Sequence, residues 1–119
     1  MIRGEAPLAP YGIGMDFETF WPQYLKAHRD PRTRALHVAG TIAASALVGT
    51  AVAFRKPWLA AAGLVAGYGP AWFAHAVFER NRPATFSEPV SSFVADYFMA
   101  WHVLRGTMDA EFVRVARGA

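Results

Sequence analysis

The chain has 119 residues, enough for one domain, and is 54% hydrophobic with a positive mean hydropathy, above the ~45–50% apolar content of ordinary soluble domains. It contains no cysteine, which excludes disulfides, thiolate zinc sites and iron–sulfur clusters and leaves His and carboxylate to hold any metal. The net charge is only +3, and the arginines border apolar runs instead of alternating with aromatics, so anionic lipid headgroups are expected as partners and nucleic acid is not.

Residues 1–15 open with MIRGEAPLAPYGIG. The stretch has Pro and Gly and no continuous apolar core, and reads as a flexible arm with no cleavable signal peptide. Residues 16–119 read as one helical membrane domain. Asp16–Ala27 (DFETFWPQYLKA) places Phe17, Phe20, Trp21, Tyr24 and Leu25 at helical spacing, which fits an interfacial helix and a core helix equally. Pro22 predicts a start near Phe20. His28-Arg29-Asp30-Pro31 is a break, with Asp30 an N-cap and Pro31 the first helical residue. A nearly uncharged run from Ala35 to Phe54 follows, close to the ~20 residues that a bilayer core requires. Its small residues, Gly40, Ala43, Ala44, Ser45, Gly49 and Ala51, allow close helix contact.

Arg55-Lys56-Pro57 is a tight turn. A second apolar run, Trp58–Phe78, carries Gly63, Gly67, Gly69 and a Pro70 that predicts a kink. The two runs form an antiparallel transmembrane hairpin, ended at Asn81-Arg82-Pro83 because proline disfavours helix for the residue before it. Pro89–Leu104, with Ser87 as N-cap, reads as a partial, re-entrant or bundle-facing helix, and Arg105–Ala119 as a short surface helix. The fold class is therefore all-α, a membrane helical bundle, compatible with a homo-oligomer. Arg29, Arg32, Arg34, Arg80 and Arg82 gather at one end of the hairpin, and the positive-inside rule places that end in the cytoplasm, which for a bacterial chain means the inner membrane.

The hairpin also fixes depth. His37 lies eighteen residues before Arg55 and His75 nineteen after Lys56, so at a rise of ~1.5 Å per residue both sit roughly 27–29 Å from the turn. His28 lies in the break at the same rim. Glu79, four residues after His75, shares its helix face. Three histidines and a carboxylate at one level suit iron or zinc. A helix-end His with a surface Glu is the plainer reading of His75 and Glu79. Asp96 should face the bundle, either behind a ligand His or paired with a rim arginine. A straight third helix would carry His102 to the far side as a structural residue.

FWPQYLKAHRDPRTRALHVAGT, followed by GYGPAWFAHAVFERNRPATF, resembles the small membrane-protein family of the fungal 2-hydroxy-fatty-acid (2-hydroxypalmitic acid) dioxygenase, which also has bacterial members. The resemblance spans about Phe17–Met99, through H-x8-H and H-x3-E-x-N-R-P-A. It implies an iron(II)-dependent dioxygenase of fatty acid α-oxidation that takes a 2-hydroxy fatty acid and O2 to the acid one carbon shorter. The family's histidines match His28, His37 and His75, and its acid matches Glu79, as ligand or as a catalytic base behind the ligands. Arg80 or Arg82 would hold the substrate carboxylate, or else reach lipid headgroups. The acyl tail would lie between the helices, where Gly and Ala leave space. Two other readings compete. In one, two level histidines clamp a haem, which a Soret band would reveal. In the other, the protein binds lipid without catalysis, and His75→Ala would keep full function.

Overall fold

The computed structural model describes residues 16–118, so the N-terminal arm lies outside the described residues. Every regular element among these residues is helical: α1 (Phe17–Lys26), α2 (Pro31–Phe54), α3 (Pro57–Ala74), a π-turn (His75–Glu79), a 3-10 turn (Ala84–Phe86), α4 (Pro89–Arg105) and α5 (Met108–Gly118).

Helix α1 begins three residues earlier than Pro22 predicted. Asp16 caps it by accepting from the Thr19 N–H at 2.9 Å. Pro22 removes only the bond to the carbonyl of Glu18, an exposed residue that water can serve. At α2 the predicted cap is present: the Asp30 carboxylate accepts from the Arg32 N–H at 2.8 Å and Pro31 opens the helix. Helix α2 closes on Arg55 in the left-handed conformation, and α3 starts two residues on.

Helices α2 and α3 pack antiparallel. A Cβ at Gly40 would sit 3.0 Å from the Ala66 carbonyl oxygen and 3.1 Å from that of Gly67, and one at Gly63 would sit 2.9 Å from Val48 Cγ2. The backbones meet because those positions carry no side chain. Gly40→Val would force the hairpin apart and should lower stability by about 1–3 kcal/mol, read as a fall in thermal midpoint in detergent; an unchanged midpoint would contradict this packing.

Among the described residues, α2 is the one helix long and apolar enough to cross a membrane. The predicted second span differs: α3 ends as an α-helix at Ala74, and three glycines, Tyr68 and Pro70 dilute its apolar run. The chain passes through Pro70 as α-helix and changes hydrogen-bond register only at His75.

The buried apolar core lies at the site end of the hairpin. Phe20, Trp21, Tyr24 and Leu25 of α1 meet Ala84, Ala95 and Met99, with Met108 of α5 closing the cluster. This core corrects two expectations. Glu88, not Ser87, is the N-cap of α4. Helix α4 also does not run straight back along the hairpin, since Ala95 and Met99 pack on α1. Its end therefore lies beside the start of α2, where Val103 and Gly106 line a groove with Pro31 and Arg34. His102 accordingly sits on the α1 side, with Nδ1 2.7 Å from the Thr107 hydroxyl, and not at the far end.

Candidate metal centre

Three elements bring His28, His37 and His75 together. His28 lies in the break after α1, His37 lies in the second turn of α2, and His75 opens the π-turn. All three are buried. Their ring centroids are 4.5 Å (His28–His37), 4.5 Å (His28–His75) and 5.0 Å (His37–His75) apart, each pair edge to face. One ring nitrogen from each lies within 4.8 Å of the other two.

The Nδ1 atoms explain the arrangement. His28 Nδ1 is 2.6 Å from the Tyr24 carbonyl oxygen, His37 Nδ1 is 2.8 Å from that of Thr33, and His75 Nδ1 is 2.6 Å from Asn81 Oδ1. An oxygen that can only accept fixes each Nδ1 as the protonated nitrogen. Each Nε2 is left with a lone pair, and the Nε2 atoms of His28 and His37 are 3.1 Å apart. Facing lone pairs repel unless a cation stands among them. Donation from the second ring nitrogen to an oxygen is how metal-binding imidazoles are held. The donor set thus fits a divalent first-row metal. Edge-to-face imidazoles converging on one point do not have the two-sided arrangement that clamps a haem plane.

Burial pushes the His28 imidazole well below its ordinary value, and the neighbouring His37 and His75 rings add to the shift. The native site therefore holds His28 neutral, as ligation requires. A depressed histidine pKa means that the unfolded chain takes up a proton the fold excludes, so stability is complete above the unfolded value of ~6.5 and is lost below it. Metal-free protein in detergent should melt at a lower temperature at about pH 5.5 than at about pH 7.5; a flat profile over that range would contradict a neutral buried His28.

The π-turn sets the third imidazole. The His75 carbonyl accepts from the Arg80 and Asn81 N–H groups, and Arg80 takes the left-handed conformation at φ 56°, uncommon for a residue with a Cβ. This wider turn swings Asn81 back under His75. Asn81 Nδ2 also donates to the Ala27 carbonyl at 3.2 Å, which ties His75 to the segment carrying His28. The sequence places Asn81 only in the helix-ending Asn81-Arg82-Pro83 and in the H-x3-E-x-N-R-P-A pattern, since six residues apart on an α-helix its side chain would not face that of His75. The Nδ1 partners of His28 and His37 are main-chain carbonyls, which leave no side-chain signature.

The other predicted site residues lie around this cluster. Glu79 is not among the converging ligands; its Oε2 accepts from the Asp30 N–H at 2.8 Å, holding the π-turn to the start of α2. Asp96 accepts from the Tyr24 hydroxyl, and the Tyr24 ring stacks on His28 at 3.9 Å, so Asp96 reaches the cluster through Tyr24. Arg82 lies over the Phe86 ring at 5.2 Å. Neither Arg82 nor Arg80 lines the histidine cavity, which Tyr68, Trp72, Ser92 and Asp96 complete. Arg34, a rim charge by sequence, donates to the carbonyls of His28 and Arg29, both at 2.8 Å, and so holds the His28 turn.

An all-helical fold around three buried, pre-oriented imidazoles defines a candidate histidine-only metal protein. Over residues 15–108 the chain matches the family described as 2-hydroxy-palmitic acid dioxygenase Mpo1-like, and it belongs to that family. No curated protein and no solved structure matches it.

Proposed function

We propose that this protein is a membrane-embedded, iron(II)-dependent dioxygenase that shortens 2-hydroxy fatty acids by one carbon. One observation carries the reading: three buried imidazoles, each fixed through Nδ1, turn their Nε2 atoms to a common point. The family description supplies the substrate class. Balanced, a 2-hydroxy acid and one O2 give the acid one carbon shorter, carbon dioxide and water. Iron(II), held by His28, His37 and His75, would supply the redox chemistry that joins O2 to the substrate.

The chain's own groups do the rest. Tyr24, Thr33 and Asn81 hold the ligand rings. Asp96, in the wall of the histidine cavity, accepts from the Tyr24 hydroxyl and so steadies Tyr24 against His28. Glu79 acts through Asp30 as a positioning residue. Arg80 and Arg82 lie exposed at the same end of the molecule and attract the anionic carboxylate.

Exposure of large apolar side chains supports the membrane setting. Val52 is 75% exposed, Trp58 66% and Val65 72%, all on the hairpin, and so many large apolar side chains exposed on one element call for lipid or a partner. The hairpin then crosses the bilayer with the histidine end in the cytoplasm. The sequence has no cysteine, so Lys56→Cys provides a single label, which an impermeant reagent should reach from outside intact cells; labelling only after lysis would reverse the orientation. The enzymatic reading is tested by incubating iron(II)-loaded protein in detergent with 2-hydroxypalmitate under air. Mass spectrometry should find the acid one carbon shorter, and unaltered substrate would refute the activity.

A further inference from the structure

A second and larger cavity of about 410 Å³ opens between α2, α3 and α4, within the size range of ligand pockets. It adjoins the histidine cavity, since Tyr68 and Asp96 line both. Its lining is graded. Near the histidines stand Thr41, Tyr68 and Asp96; midway the Ser45 and Tyr97 hydroxyls are bonded to each other, and toward the hairpin turn the walls are Val48, Gly49 and Leu64. Gly49 lies twelve residues beyond His37 on α2, about 18 Å at the helical rise, a span comparable with an extended long-chain acyl group. A polar end at the metal ligands and an apolar end in the hairpin match a molecule with a hydroxy-acid head and a hydrocarbon tail.

Two glycines of α3 in this cleft are needed for helix packing, because a Cβ at Gly63 or Gly67 would meet α2 atoms at 2.9 and 3.1 Å. Gly49 is different: a Cβ there meets nothing within 4 Å. Helix contact does not require that glycine, and it lies in the wall of the cleft at its far end.

We infer that this cleft is the acyl-chain site and that Gly49 sets the length of chain it accepts. The inference rests on the proposed substrate class. It commits to the substrate tail as occupant because of the continuity through Tyr68 and Asp96.

Gly49→Leu fills the far end without a backbone clash. The ratio of kcat/KM for 2-hydroxypalmitate to that for 2-hydroxyoctanoate should then fall about tenfold or more, since an added methylene in an apolar pocket already changes discrimination by that order. An unchanged ratio, expected if only bulk lipid or a second copy of the chain filled the cleft, overturns the inference. A readout independent of turnover uses 2-hydroxypalmitate carrying a photoreactive diazirine at its methyl end, cross-linked to iron(II)-loaded wild-type protein and mapped by mass spectrometry. Adducts on Val48, Gly49 or Leu64 support the cleft even if no product forms, in which case the dioxygenase reading alone fails. Adducts confined elsewhere, or none, overturn the cleft whatever the turnover.

Discussion

Replacing any one of His28, His37 and His75 by alanine is expected to abolish iron retention and lower turnover by at least about 100-fold, at or beyond the upper end for loss of a residue that merely supports a ligand. The three act as a unit because each supplies one Nε2 to a common point, within 4.8 Å of the others. Two imidazoles cannot hold the ion that three pre-oriented ones hold, and losses within such a unit are not additive. A double variant should therefore be no worse than a single one. His102→Ala is the control: His102 is tied to Thr107 and lies outside the cluster, so its effect should be mild. If His102→Ala were as damaging as His37→Ala, or if His28→Ala kept its iron, the assignment of ligands would be wrong.

Asn81 carries the second large effect. Asn81→Leu removes the oxygen that accepts from His75 Nδ1 at 2.6 Å and the amide that donates to Ala27 at 3.2 Å. His75 loses both its tautomer preference and its tether to the His28 segment. Metal affinity, measured by competition with a chelator, should fall roughly 10–100-fold. Asn81→Asp keeps an acceptor for His75 but cannot donate to Ala27, and should fall between the wild type and Asn81→Leu. Wild-type affinity in Asn81→Leu would mean that the π-turn geometry does not hold the ligand.

Those two sets of variants also separate what was legible in the sequence from what was not. Helical rise alone put His37 and His75 at equal distance from Arg55-Lys56, and the structure brings both rings to within 5.0 Å. The Asp30-Pro31 start of α2 was equally plain, because its cap is a side-chain signal. Asn81 was not legible, since its role depends on a π-turn that shifts the register of the helix end. The α1 start was misplaced because the Asp16 cap outweighs the single bond lost at Pro22. The course of α4 follows from packing that its sequence does not announce, because a small buried residue such as Ala95 gives no hint that the aromatic face of α1 is its partner. Glu79 lies four residues from His75, and its Oε2 accepts from the Asp30 N–H, a main-chain partner that no sequence spacing announces.

The metal content of protein purified in detergent and reconstituted anaerobically with iron(II) tests the central claim most directly. After removal of unbound ion, one iron per chain is expected in the wild type and none in the variant lacking all three imidazoles of His28, His37 and His75. Wild-type protein that retains no metal, or a triple-alanine variant that retains as much as the wild type, would contradict the account.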